Sequence, residues 1–276
     1  MANRSSIHPL AFDNVDDSTS IDPVTVDDSN SVGDDSIMGG HGNDVITAGS
    51  GNDNIDGGDG NDEIHGGAGL DTLAGGAGDD TIIAGTGNAN EDGGNGNDSL
   101  QGGVGQDTLN GGAGNDTIVA GTGDTKEDGG AGNDSIEGGA GKDTMNGGAG
   151  DDTIVAGTGN AHENGGAGND SLEGGTGNDI LNGGIGNDIL TGGAGHDTFV
   201  EGKKAGMDVI TDFTVSGANA DKLNLHGAGL HMGGFRGLMH HITEVGGNAV
   251  IELGHGNSVT LDNVDMHTLT VHDFVL

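Results

Sequence analysis

The chain of 276 residues is so acidic that its charge alone argues against several functions. Asp and Glu number 45 against seven Lys and Arg, a formal net charge of −38, which disfavours binding to nucleic-acid phosphates or anionic lipid and favours binding of cations. There is no cysteine, which excludes disulfides and thiolate metal sites. No apolar run approaches the roughly 18 residues of a membrane-spanning helix.

Residues 1–38 are predicted to be a disordered acidic leader. Scattered single aliphatic residues among many Asp give such a segment too little apolar surface to fold alone. The alternation Ile21-Asp22-Pro23-Val24-Thr25-Val26 leaves one capping strand open as an alternative. The beginning of the chain holds no apolar stretch of signal-peptide length.

Residues 39–200 consist of eighteen nonapeptides in one unbroken register. Gly predominates at positions one, two and four, Asp at position six and an aliphatic residue at position eight. Repetition at a fixed period predicts a solenoid. Glycine permits turns with positive φ, and the three residues after the Asp predict a short strand with position eight facing inward. Two nonapeptides then form one coil, and the array forms nine coils.

The Asp residues at position six are the candidate metal ligands, because turn carbonyls combined with a carboxylate are hard oxygen ligands that suit Ca²⁺. Alternate nonapeptides place them on two edges of the predicted solenoid. The odd edge has all nine, namely Asp44, Asp62, Asp80, Asp98, Asp116, Asp134, Asp152, Asp170 and Asp188. The even edge has six, namely Asp53, Asp71, Asp107, Asp143, Asp179 and Asp197.

These repeats resemble those of the RTX (repeats in toxin) family of secreted proteins. The resemblance implies an all-β, right-handed parallel β-roll in which each Ca²⁺ lies between equivalent loops of successive coils. It therefore implies eight complete sites on the odd edge. On the even edge it implies two, Asp53 with Asp71 and Asp179 with Asp197.

Three even-edge loops, here called the broken loops, lack the Asp at position six. Ala89, Thr125 and Ala161 stand there, and Glu91, Glu127 and Glu163 replace the inward aliphatic residue of the same loops. Drift in a long array is one interpretation. The other is that the glutamates swing out of the core or supply substitute ligands, because a bare carboxylate facing the core is costly.

Residues 201–276 are predicted to form a β-rich cap, because an open solenoid needs its last coil covered. This segment resembles the region that follows the repeats in secreted RTX proteases and lipases. The resemblance implies that residues 273–276, an acid followed by a short apolar tail, belong to an uncleaved signal read by a type I secretion apparatus. Seven of the twelve His lie in this segment, but no pair has the spacing of a known zinc motif.

The sequence is predicted to be non-enzymatic. A zinc-protease motif breaks off after His162-Glu163, and no Gly-x-Ser-x-Gly nucleophile elbow occurs. With only two inward side chains per coil, aliphatic burial does not offset the ordering of two whole nonapeptides, so we expect the chain to fold only with Ca²⁺.

A repeat-dominated chain of this kind resembles the secreted nodulation proteins of rhizobia. That resemblance implies an extracellular effector at a host surface or membrane, with pore or ion-channel activity in plant membranes as one form of its action. The alternative is an extracellular structural, adhesive or ice-binding module. The oligomeric state stays open.

Overall fold

The computed structural model describes residues 6–7, 14–16, 23–229 and 234–276. It divides into two compact units, Met1–Ala140 and Gly141–Leu276. Ile21 and Asp22 of the proposed capping strand, and His231 of the C-terminal histidines, lie outside the described residues.

The first unit is a parallel β-solenoid whose strands alternate between two sheets. Each strand pairs in parallel with the strand two places along the chain, and across the repeats the partners are two nonapeptides apart in sequence, as for Ile64 with Ile82 and Ile55 with Leu73. The strands of this unit are β1 (Ser6–Ile7), β2 (Asn14–Asp16), β3 (Thr25–Ser31), β4 (Ser36–His41), β5 (Val45–Ser50), β6 (Asn54–Asp59), β7 (Glu63–Gly69), β8 (Thr72–Ala77), β9 (Thr81–Gly87), β10 (Asn90–Asn95), β11 (Ser99–Val104), β12 (Thr108–Ala113), β13 (Thr117–Thr122), β14 (Lys126–Ala131) and β15 (Ser135–Ala140).

The second unit is built from the same repeat and ends in a mixed sheet. Its solenoid strands also pair in parallel two nonapeptides apart, as for Glu163 with Leu181. The unit contains the short helices α1 (Phe235–Leu238), η1 (Met266–Thr268) and η2 (Val271–Asp273). Its strands are β16 (Thr144–Ala149), β17 (Thr153–Thr158), β18 (His162–Ala167), β19 (Ser171–Glu173), β20 (Thr176–Gly177), β21 (Ile180–Ile185), β22 (Ile189–Thr191), β23 (Ala194–Gly195), β24 (Thr198–Val200), β25 (Met207–Ile210), β26 (Lys222–Asn224), β27 (Ile242–Val245), β28 (Asn248–Gly254), β29 (Asn257–Leu261) and β30 (Phe274–Val275).

The core of each solenoid is a column of position-eight side chains. Ile46, Ile55 and Ile64 in the first unit, and Leu172 and Leu181 in the second, are almost fully buried. Their neighbours at positions seven and nine are exposed or half-buried, because successive side chains of a strand point to opposite faces. The predicted all-β parallel solenoid, with two nonapeptides to each coil, is confirmed in both units.

Residues 23–38 are part of the first solenoid, so the prediction of a disordered leader is wrong for them. β3 pairs with β5 and β4 pairs with β6, and Val26 and Ile37 are buried like the position-eight residues of the repeats. The average composition suggested disorder, whereas the local pattern Asp35-Ser36-Ile37 already has the spacing of a repeat. The rest of the proposed leader, apart from β1 and β2, lies outside the described residues. The division into domains at 38/39 and 200/201 stays a prediction.

The C-terminal region is β-rich, as predicted. β25 pairs in parallel with β22 and β29, β26 pairs with β24 and β30, and β27, β28 and β29 form an antiparallel meander. Phe199 of the last repeat packs on Phe213, with ring centroids 6.0 Å apart. None of the helices in the described part of the chain is long and apolar enough to cross a membrane.

Candidate functional site

The position-six aspartates form hydrogen-bonded columns, here called the aspartate ladders. One carboxylate oxygen, Oδ1, accepts a hydrogen bond from the backbone N–H of the equivalent residue one coil earlier. Asp44 N–H donates to Asp62 Oδ1 at 2.8 Å, and Asp170 N–H donates to Asp188 Oδ1 at 2.9 Å. Each of these aspartates is almost fully buried, so the ladder is an internal feature of the solenoid.

The second oxygen, Oδ2, has a different environment. In a large group of the ladder residues it is buried and accepts no hydrogen bond from the described residues. A buried carboxylate oxygen without a hydrogen-bond partner is unusual in a folded protein, and it suits a metal ligand. The group contains Asp53, Asp62, Asp80, Asp98, Asp107, Asp116, Asp170, Asp179 and Asp188.

The glycine at position one leaves open the space into which Oδ2 points. A Cβ atom placed on Gly57 would lie 2.4 Å from Asp62 Oδ2 and 2.8 Å from the carbonyl oxygen of Gly75, one coil further on. A Cβ on Gly165 would likewise lie 2.3 Å from Asp170 Oδ2. A carboxylate oxygen and a carbonyl oxygen of the next coil therefore face the same small space, and position one is glycine because a side chain would fill it.

The glycines at positions two and four have another role. Gly58 has a φ of 105°, and a Cβ there would lie 2.1 Å from the carbonyl oxygen of Gly40. These positions permit the left-handed turn and the close stacking of coils. The sequence predicted this role for all three glycines, but position one serves the ligand space instead.

Because the ladder aspartates are buried, their ionised form is disfavoured unless a cation lies close to it. Desolvation raises the pKa of Asp62 to about 6 and that of Asp80 to about 7. The hydrogen bond from the preceding coil lowers both values, and the carboxylates of adjacent coils raise them again. Removal from water and repulsion between like charges both disfavour the ionised form, and a cation bound between the coils would offset both effects.

The structure places the candidate ligands of each unit in order along their edges. In the first unit the odd-edge residues from Asp44 to Asp134 are joined by five successive hydrogen bonds, and Asp53 is joined to Asp71. In the second unit Asp152, Asp170 and Asp188 are joined in order, and Asp179 is joined to Asp197. Asp107 and Asp143 are also buried.

The broken loops keep the main-chain donor of the even-edge ladder but lack the carboxylate that would accept a hydrogen bond from the preceding coil. Ala89 N–H donates to Asp107 Oδ1 at 2.8 Å, and Ala161 N–H donates to Asp179 Oδ1 at 2.8 Å. The donor is a main-chain group that any residue except proline supplies, so loss of the Asp side chain removes a carboxylate without removing the donor.

The glutamates of the broken loops stay in the core. Glu91, Glu127 and Glu163 are 1%, 3% and 0% exposed, so the expectation that they swing out is wrong. Burial, and to a smaller extent the neighbouring carboxylates, raise the pKa of Glu91 to about 8 and that of Glu163 to about 9. The Thr125 hydroxyl contacts Glu127 Oε1. Their strands β10, β14 and β18 keep the register of the sheet.

Three ladder residues outside the repeats were missed by the sequence analysis. Asp35 N–H donates to Asp53 Oδ1, Asp208 Oδ1 accepts from Asp188 N–H at 2.9 Å, and Asp221 Oδ1 accepts from Asp197 N–H at 2.9 Å. Each missed residue begins an Asp-x-aliphatic triplet. Asp208 and Asp221 lie 20 and 24 residues after their partners, so a search at the fixed period of two nonapeptides does not find them.

In the second unit Asp221 ends one ladder and Asp208 ends the other, and each makes a further hydrogen bond. Asp221 Oδ2 accepts a hydrogen bond from Thr214 N–H at 2.8 Å, so both of its oxygens have partners. Asp208 is hydrogen-bonded to the carboxyl group of Glu201, and burial together with the Asp208 charge raises the pKa of Glu201 well above its ordinary value.

One group of metal-ligating residue types also lies in the C-terminal region. Among the described residues, Glu244, Asp265 and His267 bring one ligand atom each within 4.8 Å of one another. His267 Nδ1 is 2.9 Å from Asp265 Oδ1 and 3.9 Å from Glu244 Oε2. All three side chains are exposed, and such pairs are common on protein surfaces without a metal, so the geometry assigns no metal here.

The ligand space of the ladders fits Ca²⁺. This ion takes six to eight oxygen ligands from carboxylates, carbonyls and water, and the space offers a buried carboxylate oxygen and a main-chain carbonyl oxygen. The fold and the ladders together define a calcium-binding parallel β-solenoid.

The family of the chain follows from its repeats. The model of the RTX calcium-binding nonapeptide repeat (4 copies) matches residues 30–64, 56–89, 92–125, 128–161 and 164–199. These matches cover more than half of the chain, and the chain belongs to this family. The predicted recognition of RTX repeats is confirmed, and buried Asp ladders in such repeats are typical of Ca²⁺-binding sites.

Two solved structures are similar to the chain. The extracellular lipase LipA from Serratia marcescens is 23% identical, with 71% of this chain and 40% of the lipase covered and a TM-score of 0.39. The AlgE6R3 subunit of the Azotobacter vinelandii mannuronan C5-epimerase is 27% identical, with 46% and 78% covered and a TM-score of 0.35. The chain thus spans less than half of the lipase. No curated protein matches the chain, and the resemblance to nodulation proteins is not shown by these comparisons.

Proposed function

We propose that this protein is exported without folding, folds on Ca²⁺ outside the cell and acts there as a non-enzymatic effector at a host surface or membrane. The observation that carries the proposal is the set of buried ladder carboxylates, many of which turn one oxygen toward a space shared with a main-chain carbonyl of the next coil. The fifteen repeat aspartates of the two edges are the proposed ligands.

Folding on Ca²⁺ follows from the balance of charge and core. The net charge is −38, the ladder carboxylates are buried, and the core is one column of aliphatic side chains. The free energy of ion binding becomes free energy of folding when the site exists only in the folded chain. Extracellular modules bind Ca²⁺ with dissociation constants of roughly 10⁻⁴ to 10⁻³ M, so a cytosolic chain would stay unfolded and an exported one would fold.

Export is supported by the family and by the position of the C-terminal residues. RTX repeat proteins are typically secreted, and we assign the signal for the type I apparatus to residues 273–276. In the folded chain Phe274 is buried and β30 pairs with β26. Folding would therefore bury the first half of the proposed signal, while Val275 and Leu276 stay exposed.

The effector role is the finer part of the proposal. It is supported by the organisation of the chain, in which repeats dominate and no catalytic motif was found, as in nodulation protein O of rhizobia. On this proposal the folded protein acts on plant membranes, including by forming pores or ion channels.

The test is leakage of dye from vesicles of plant plasma-membrane lipids on addition of protein folded in 1 mM Ca²⁺ (about the extracellular regime). We expect leakage and single-channel conductance across a planar bilayer, both absent when excess chelator is present from the start. A folded protein that neither binds nor permeabilises these membranes would contradict the effector role. Thermal hysteresis or self-association of that inactive protein would favour the structural, adhesive or ice-binding alternative.

A further inference from the structure

Every nonapeptide of the array keeps one carboxylate that faces inward or into a ladder. Fifteen repeats carry it as Asp at position six, and the three broken loops carry it as Glu at position eight. Each repeat has one of these two acidic residues, and no repeat has both. In all three broken loops the carboxylate thus stands at position eight instead of position six, and it is here called the relocated carboxylate.

Position one changes in the same loops. Ala84, Ala120 and Ala156 replace its glycine, which puts a methyl group in the space that Oδ2 of a position-six Asp would face. Ala48 stands at the same position in a loop that keeps Asp53, so the alanine alone does not exclude the aspartate. The combination of a filled space and a relocated carboxylate is confined to the broken loops.

The relocated carboxylates lack partners. Glu91 and Glu163 are almost fully buried, and neither oxygen of either side chain has a hydrogen-bond partner in the described structure. In the sheet Glu91 lies between Leu73 and Leu109, where an aliphatic side chain would pack. A buried acidic group without any partner is strongly disfavoured, so a ligand or a proton must satisfy it.

The charged groups that act on these glutamates are acidic. For Glu91 the group is Asp107, and for Glu163 the strongest is Asp179, followed by Asp197 and Glu173. No basic side chain is among the charged groups that act on either glutamate, so a bound cation would stabilise the ionised form of each.

The aspartate of the following coil supplies the rest of a site. Asp107 Oδ1 is held by Ala89 N–H of the Glu91 loop, and its Oδ2 is buried without a partner. A Cβ on Gly102 would lie 2.8 Å from this Oδ2 and 2.9 Å from the carbonyl oxygen of Ala120. In the second unit a Cβ on Gly174 would lie 2.7 Å both from Asp179 Oδ2 and from the carbonyl oxygen of Gly192.

We propose that Glu91 and Glu163 are additional ligands of the Ca²⁺ bound at Asp107 and Asp179, so that each of these two ladder sites receives a second carboxylate from the core and depends on it for its ion. The broken loops are then sites of altered geometry rather than gaps in the even edge. The inference rests on calcium binding by the repeats and is independent of the proposed effector role.

The test counts Ca²⁺ bound per folded chain by equilibrium dialysis at pH 7.5. The double variant Glu91→Gln/Glu163→Gln keeps the shape and polarity of both side chains and removes their charge. We expect it to bind two fewer ions than the unaltered chain. The matched control is Glu137→Gln/Glu252→Gln, in which both glutamates are exposed, and it should bind the full number.

A full number of ions on the folded glutamine variant would overturn the proposal and would mean that both glutamates are protonated core residues. If the glutamines prevent folding, Glu91→Leu/Glu163→Leu gives each site the aliphatic residue of its neighbours Leu109 and Leu181. The proposal predicts a folded leucine variant with two fewer ions, and a full number there overturns it. Absence of any Ca²⁺ on the unaltered chain would instead contradict calcium binding by the repeats as a whole.

Discussion

Asp62 joins three coils of the first solenoid through the two oxygens of one carboxylate. Its Oδ1 accepts a 2.8 Å hydrogen bond from Asp44 N–H of the preceding coil, while its Oδ2 faces the same space as the carbonyl oxygen of Gly75 in the following coil. The position-six aspartate is therefore both a structural hydrogen-bond acceptor and a candidate ion ligand, and the two roles can be separated by substitution.

Asp98→Asn should weaken ion binding while leaving the ladder intact. The amide keeps an oxygen that can accept the hydrogen bond from Asp80 N–H, but replaces the second oxygen with an NH₂ group that cannot bind a cation. Loss of an ion present at 100 times its dissociation constant removes about 2.7 kcal/mol of stability. The measurement is the free Ca²⁺ concentration at the folding midpoint, which should rise.

Asp98→Ala also removes the hydrogen bond, so it should cost about 1 kcal/mol more than Asp98→Asn. Glu137→Gln, on an exposed residue of β15, is the control and should leave the midpoint unchanged. Equal midpoints for Asp98→Asn and the unaltered chain would show that Oδ2 binds no ion.

Gly57→Ala should remove or weaken one ion by filling the ligand space. The added Cβ would lie 2.4 Å from Asp62 Oδ2 and 2.8 Å from the carbonyl oxygen of Gly75, so these groups must move apart; Ala48, at the same position of another loop, shows that the fold accepts an alanine there. We expect the dialysis count to fall by one ion at limiting Ca²⁺. Gly202→Ala, where no atom lies within 4 Å of the new Cβ, should retain the full count, and an identical result for both variants would refute this function of position one.

The Ca²⁺ requirement should depend on pH. Burial raises the pKa of Asp80 to about 7 and that of Asp98 to about 6, above the ordinary value of 3.8. In the absence of Ca²⁺, carboxyls with raised pKa stabilise the fold below about pH 4, and this contribution is lost as the pH rises through 6 to 7. A proton on a buried ladder carboxyl therefore supplies part of the stabilisation that Ca²⁺ gives at higher pH.

Titrations at pH 7.5, 6.5 and 5.5 check this dependence. The Ca²⁺ midpoint of folding should fall as the pH falls, because protonated ladder carboxyls stabilise the folded chain while the unfolded chain, with ordinary pKa values of about 4, gains almost no protons over this range. A midpoint that stays constant or rises would contradict the raised pKa values of the ladder carboxyls.

Asp221→Ala should detach the C-terminal region from the even-edge ladder of the second unit. The substitution removes acceptors for Asp197 N–H and Thr214 N–H, and two buried hydrogen bonds contribute about 1–3 kcal/mol together. Hydrogen exchange at these two amides should accelerate at saturating Ca²⁺. Glu252→Ala, on an exposed side chain, is the control, and unchanged protection of Asp197 in the Asp221 variant would contradict the extended ladder.

The fold of the repeats was predictable because each nonapeptide contains its whole local geometry. The inward position of Ile64 and the turn at Gly58 follow from strand alternation and from glycine alone. The ends of the solenoid were not predictable in this way. Val26 pairs with Ile46 and Val209 pairs with Ile189. Both separations are longer than two nonapeptides, so a search for that fixed period does not detect these pairs.

The sequence predicted which residue types form the site, but not which atoms of different coils face one another there. A carboxylate at position six indicated Asp62 as a ligand, but the carbonyl that faces it belongs to Gly75 of another coil, so only the three-dimensional register reveals it. For Glu163 the sequence indicated that a carboxylate facing the core is costly, but it did not indicate whether the side chain stays in the core. The structure keeps this side chain in the core, beside Asp179.

The most direct test of calcium-dependent folding is a Ca²⁺ titration of the full chain, started in excess chelator and followed by far-ultraviolet circular dichroism. We predict an unfolded spectrum in chelator and a cooperative gain of β signal as free Ca²⁺ rises toward about 10⁻³ M, reversed by renewed chelation. A native-like β spectrum that persists in excess chelator would contradict the account.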